Sequence, residues 1–200
     1  MLVKAHGANA LVLIAFLLVH FATHVAATLG PGAHWIALQL VRPLYRSSLI
    51  EPLLIAAFAL QLLLGAALIV KRLRKGSNGS WGLVQIASGS YLIVFIVIHV
   101  SAALSARLQS GLDTNFFWPA STLQEPIIAA FFYPYYFFGI VALFAHLAAA
   151  LHFQGRPRSV VRATIGAGPI LSLLILSAFG GWYTDFEIPD AYVEALKDLF

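Results

Sequence analysis

The chain has 200 residues, of which 60% are hydrophobic and only 10% are charged. Its mean hydropathy of +0.87 indicates an integral membrane protein. The formal charge of +4 at pH 7 comes mainly from short basic loops, so it indicates contact with anionic lipid and does not favour binding to nucleic acid. The absence of cysteine excludes thiolate catalysis, iron–sulfur ligation by this chain, disulfides and covalent haem attachment.

Five apolar runs are long enough to cross a membrane as helices, since about 20 residues span about 30 Å of hydrocarbon. We predict spans over residues 9–29, 49–70, 83–106, 127–152 and 163–183, with an acidic C-terminal tail at 184–200. The first run follows a single Lys4, but its length and weak cleavage site favour a retained helix over a signal peptide. The sequence therefore predicts an all-α integral membrane protein with one transmembrane domain over residues 1–200.

Basic residues predict the orientation of these helices. Lys4, the run KRLRK at 71–75 and the arginines within 156–162 all fall on one side of a five-helix alternation. The side rich in Lys and Arg is normally cytoplasmic. We therefore predict that the N-terminus lies inside and the C-terminus outside.

The helices contain an internal repeat. Aligned without gaps, the first and third runs match Phe16 with Phe95 and His20 with His99, and the second and fourth runs open with EPLLIAAF and EPIIAAFF. This pattern predicts a four-helix bundle of two related hairpins with the fifth helix appended. Because the first and third helices would lie diagonally across the bundle, His20 and His99 should face one another.

Two inward-facing histidines on diagonal helices are the arrangement that binds the iron of a b-type haem. The alternative is that each ring bonds a carbonyl or hydroxyl group of a neighbouring helix. The matched positions of His20 and His99 favour haem. His24 lies one helical turn beyond His20 on the same face, so it is either the alternative ligand or a partner for a haem propionate or a quinone.

The other histidines give less support for a site. His146 lies in the fourth run, and the polar residue available to match it in the second run is Gln61, which is a poor haem ligand. We therefore expect one haem and not two. His6, His34 and His152 lie near the predicted interfaces, and we expect them to be surface residues.

Two segments resemble the cytochrome b membrane anchors of succinate dehydrogenase and fumarate reductase. QIASGSYLIVFIVIHV at 85–100 is similar to their R-x-S-G segment with its following histidine, with Ser88, Gly89 and His99 in matching places. FAHLAAALHFQG at 144–155 resembles their fourth-helix haem segment and puts His146 on a ligand position, while His20 matches the first-helix ligand. The five-helix, N-inside topology is similar over almost the whole chain.

This resemblance implies a non-catalytic subunit in a bacterial cytoplasmic membrane that passes electrons between a quinone and soluble flavoprotein and iron–sulfur subunits. The chain departs from the family at two places. The second-helix histidine of the two-haem members corresponds to Gln61, and the arginine before Ser-Gly is Gln85 or Ile86. The resemblance therefore implies an outer haem more strongly than an inner haem or an inner quinone site.

Polar residues also gather near the predicted outer surface. Tyr45, Arg46 and Glu51 either belong to an interfacial belt or bond a quinone ring and carry its protons. Arg107 either extends its charge toward the interface, pairs with Asp113 or Glu125, or binds a haem propionate.

Three functions fit these observations. The first is a haem b electron-transfer cytochrome linked to the quinone pool, and the second is a haem-free membrane scaffold or assembly subunit. The third is a small transporter or proton carrier that uses His24, Gln61 and His146 as a polar track, although no interior carboxylate supports it. No nucleotide-binding glycine motif or acid pair indicates a hydrolase.

Overall fold

The structure is a computed structural model that describes residues 1–76 and 79–197. The described residues form helices and turns without a β-strand. Five helices are long and apolar enough to cross a membrane, which confirms the predicted five-helix, all-α membrane architecture. The helices are α1 Leu2–Ala26, α2 Pro31–Tyr45, α3 Ile50–Lys75, α4 Gly79–Leu108, α5 Phe117–Gln124, α6 Pro126–Phe153, α7 Arg158–Phe179 and α8 Asp190–Lys197.

The long helices form a ring. α1 packs against α3, α3 against α4, α4 against α6 and α6 against α7, and α7 reaches back to α1 and the short turn Ala27–Leu29. α1 and α4 therefore lie diagonally across the bundle, as the repeat predicts. We call the end where α1 leads into α2 and α4 leads into α5 the outer end, following the predicted orientation, and the opposite end the inner end.

α4 and α6 approach closely where Gly139 of α6 faces the Phe95 ring of α4. A Cβ atom on Gly139 would collide with the Phe95 ring, so the two helices approach at that level only because residue 139 is glycine. The Tyr135 hydroxyl donates to the Phe95 carbonyl at 3.0 Å, and the Tyr91 hydroxyl donates to the Tyr135 carbonyl at 3.0 Å. These reciprocal bonds fix the relative height of α4 and α6, since a shift of one turn would break both.

A cluster of buried hydrophobic residues lies at the outer end, between α5, α6 and α7. Phe116, Leu123, Ile175, Leu176 and Phe179 are buried together there. By contrast, α3 has no buried residue. α3 therefore adds no residue to the buried core.

The connections at the outer end are helical. Gly30, with φ of 101°, ends the helical segment that follows α1, and Pro31 starts α2. α2 lies between the first and second predicted spans. The tail forms α8, whose Tyr192 hydroxyl donates to the Asp113 carbonyl at 2.8 Å. α2 and α8 therefore cover the outer end of the bundle.

Candidate functional site

His20 on α1 and His99 on α4 meet inside the bundle. Their ring centroids are 6.1 Å apart and the ring planes make an angle of 80°. Each imidazole stacks on the phenylalanine four residues earlier: Phe16 lies 5.4 Å from His20, and Phe95 lies 5.3 Å from His99, centroid to centroid. The aligned repeat thus has the same local geometry in both helices.

At this separation His20 and His99 would both reach one haem iron. An imidazole nitrogen binds a transition metal at about 2 Å and the ring centroid lies about 1 Å behind that nitrogen, so two rings about 6 Å apart could hold one metal between them. No hydrogen bond to the His99 ring occurs within residues 1–76 and 79–197, so its nitrogens are not committed to neighbouring helices. The same residues hold no cluster of three or more His, Cys, Asp or Glu suited to a bare metal ion. Haem needs only two protein ligands, because the porphyrin supplies the others.

His24 extends this pair toward the outer end. Its Nε2 lies 3.2 Å from Nε2 of His20, so one of the two nitrogens donates and the other accepts. On its other side His24 is parallel to His34, with centroids 5.8 Å apart and planes at 2°. Among the described residues, the His20 ring contacts the His99 ring, whereas the His24 ring makes no contact with His99. The geometry therefore favours His20 over His24 as the partner of His99.

His34 is buried, so the expectation that it is a surface residue is wrong. It is only 1% exposed, because α2 folds back over the end of α1 and places the ring 5.8 Å from Phe116 and 5.5 Å from Phe179. Burial, with a smaller contribution from the Arg42 charge, lowers the pKa of His34 to about 4. The imidazole is therefore neutral at pH 7.

Arg107 pairs with Glu51, a partner that was not among the alternatives the sequence offered for it. Two guanidinium nitrogens of Arg107 donate to the two carboxylate oxygens of Glu51, one of them at 3.1 Å. The pair joins the outer ends of α3 and α4, with the side chains 25% and 22% exposed for Glu51 and Arg107 respectively. The glutamates of the two Glu-Pro motifs therefore have different roles. Glu51 binds Arg107, whereas Glu125 caps α6 by accepting from Ile128 N at 2.8 Å.

Asp113 instead binds the arginines of the α2 region. Arg42 approaches its carboxylate at 2.9 Å and Arg46 at 3.6 Å, and Arg46 also donates to the Thr114 hydroxyl. Tyr45 packs edge-on against Phe16 with centroids 5.6 Å apart. Of the predicted quinone-binding residues, Arg46 and Glu51 are thus held in ion pairs, and Tyr45 adjoins the phenylalanine that supports His20.

His146 lies in a separate polar cluster toward the inner end. The Ser88 hydroxyl donates its single hydrogen to the Val84 carbonyl at 2.6 Å, so its 3.2 Å contact with Nδ1 of His146 requires that Nδ1 carry the proton. Nε2 of His146 is then left with a lone pair. Gly89 makes room for the ring, because a Cβ atom there would lie 3.2 Å from its Cε1.

His6 approaches His146 from α1, with centroids 6.3 Å apart. It is only partly exposed, and its Nε2 lies 3.1 Å from Nε2 of Gln61, whose amide oxygen accepts from Asn9 at 2.8 Å. Gln61 therefore bonds His6 and not His146, and sequence reasoning missed His6 because a histidine six residues from the start looked interfacial. His152 is exposed at the inner end, as expected, and stacks on Trp81 at 4.6 Å.

Comparison with known proteins adds no relative. No protein-family model, curated protein or solved structure matches the chain. The resemblance to the cytochrome b anchors therefore rests on the residues quoted above, and the case for a function rests on the His20–His99 geometry.

Proposed function

We propose that this chain is a haem b-binding membrane cytochrome, with His20 and His99 as axial ligands. The observation that carries the proposal is the 6.1 Å separation of the two rings across the bundle. Bound haem b supplies one-electron transfer. The chain's own residues hold the ligand rings in place, because Phe16 and Phe95 stack on them from the preceding helical turn.

The helices around the two rings support the same proposal. α3 contacts both α1 and α4, the helices that carry His20 and His99. Cofactor sites in helical bundles are built between such facing helices. The His99 ring has no hydrogen-bond partner among the described residues, so its nitrogens are available as ligands.

The proposed role is that of a non-catalytic subunit linked to the quinone pool. The resemblance to the complex II anchors supports soluble flavoprotein and iron–sulfur partners on the inner side, in a bacterial cytoplasmic membrane. Tyr45 supports a quinone at the outer end, because its ring touches Phe16 beside His20.

Haem content tests the proposal. The full chain is purified in detergent from cells shown to load a control cytochrome, and haem is measured by the pyridine haemochrome assay in the native protein, in the ligand variants His20→Leu and His99→Leu, and in His24→Leu. His152→Leu is the matched control, because His152 is exposed and distant from the pair. We expect about one haem per chain in the native protein and the control, and loss in both ligand variants. A native protein without haem would leave the scaffold as the better function, and retention by His20→Leu with loss in His24→Leu would move the ligand to His24.

A further inference from the structure

The outer end contains a set of buried polar atoms with no partner. In the part of the chain that the structure describes, the buried side-chain nitrogens without a hydrogen bond are Nδ1 of His24, both ring nitrogens of His34, and Nε of Arg42. All of them fall in three residues at the junction of α1 and α2. Native proteins rarely leave such groups unpaired, so this cluster points to a bound polar group.

The cluster begins where the proposed haem site ends. Ring centroids lie 4.3 Å apart from His20 to His24 and 5.8 Å apart from His24 to His34, and these steps lead from the ligand pair toward the outer end. Phe116 and Phe179 line the other sides of His34. His24 and His34 therefore adjoin the His20 side of the site, and aromatic rings pack around His34. The Arg42 guanidinium is held by Asp113 and the Thr114 carbonyl.

The donor set indicates an anion. Arg42 is a permanent cation whose Nε–H is unpaired, and neutral His34 offers one further N–H. A guanidinium and an imidazole N–H together suit a carboxylate, which accepts charge-assisted hydrogen bonds. A terminal guanidinium nitrogen of Arg42 pairs with Asp113, so the donor of Arg42 that stays available for a ligand is Nε–H.

We propose that Arg42 and His34 bind a carboxylate, and that in the proposed cytochrome this carboxylate is a propionate of haem b. The inference rests on the proposed function. It assigns propionate binding to residues of α2. Arg107, which was a candidate for this role from the sequence, is already bound by both carboxylate oxygens of Glu51. The propionate would complete the hydrogen bonds of a region that the protein alone leaves unpaired.

The test compares haem b with its dimethyl ester, which has the same ring but no carboxylate. The full chain is purified without haem and titrated with each compound by visible absorbance, as native protein and as Arg42→Gln and His34→Leu. Arg107→Gln is the matched control, since it removes another arginine of the outer end. Binding of the ester reports whether each variant has kept its fold.

We expect the native protein to bind haem b at least about tenfold more tightly than the ester, the typical effect of a charge-assisted hydrogen bond. Arg42→Gln and His34→Leu should weaken binding of haem b about tenfold and leave binding of the ester unchanged, whereas Arg107→Gln should keep the preference for haem b. Equal native affinity for both compounds, or a preference that survives in both variants, overturns the propionate site while the cytochrome stands. Binding of neither compound overturns the proposed function and the propionate site together.

Discussion

Replacing Glu51 by Gln removes the negative charge that holds the outer ends of α3 and α4 together. The ion pair with Arg107 is two-pronged and about three-quarters buried, with 25% and 22% of the side chains exposed. Exposed ion pairs contribute about 0.2–1 kcal/mol, whereas breaking a buried pair costs about 3–5 kcal/mol. A two-pronged pair of intermediate burial should therefore lose about 2 kcal/mol in Glu51→Gln.

A double-mutant cycle separates the pair from other effects of the substitutions. Unfolding of Glu51→Gln, Arg107→Gln and the double variant is followed in mixed micelles by far-UV circular dichroism, with Arg74→Gln on the exposed inner part of α3 as control. We expect a coupling energy of about 1–2 kcal/mol between the pair and no measurable loss in the control. A coupling below about 0.5 kcal/mol would show that the two residues are solvated separately, and would refute the assignment of Glu51 to Arg107.

Three further substitutions test other contacts. In the haem-free protein the pKa of buried His34, about 4, lies below the unfolded value of 6.5, so the unfolded chain takes up a proton first as pH falls. Relative to His34→Leu, the free energy of unfolding of the native protein should fall by up to about 3 kcal/mol as the pH drops from 6.5 to 4, and the difference should be constant above pH 6.5. The same pH dependence in both proteins would contradict the burial of the ring. Gly89→Val should cost about 1–3 kcal/mol more than Gly166→Val in thermal unfolding, because only the former meets the His146 ring; equal costs would place that ring elsewhere. Tyr135→Phe should lose about 1 kcal/mol by removing its hydrogen bond to α4, and no loss would mean that the hydroxyl is paired with lipid or water.

The spanning helices were predictable because hydrocarbon leaves the backbone few choices. Any run long enough and without charge must satisfy its own amides as a helix, so hydropathy alone located all five. The predicted start of the first span at residue 9 falls inside α1, which begins at Leu2, because Lys4 and His6 lower the local hydropathy without breaking the helix. The outer helices α2 and α8 are interfacial, where neither length nor hydropathy gives a clear signal.

The residues of the candidate site were partly predictable. The internal repeat placed His20 opposite His99, because equal position in related hairpins means equal depth in the bundle. The burial of His34 and the partner of Arg107 were not predictable, because both depend on which outer connections fold over the bundle. Glu51 and Arg107 are 56 residues apart, and the sequence offers no pattern that joins them in preference to Asp113.

The electron paramagnetic resonance spectrum of the oxidised, detergent-purified protein at low temperature tests the central claim most directly. The His20 and His99 planes cross at 80°, and a ferric haem b held by two imidazoles in this crossed arrangement would have two iron d orbitals of nearly equal energy. We therefore predict a highly anisotropic low-spin ferric signal that is absent from His99→Leu and present in His152→Leu. A high-spin ferric signal, or no haem signal at all, would contradict ligation of one haem iron by His20 and His99.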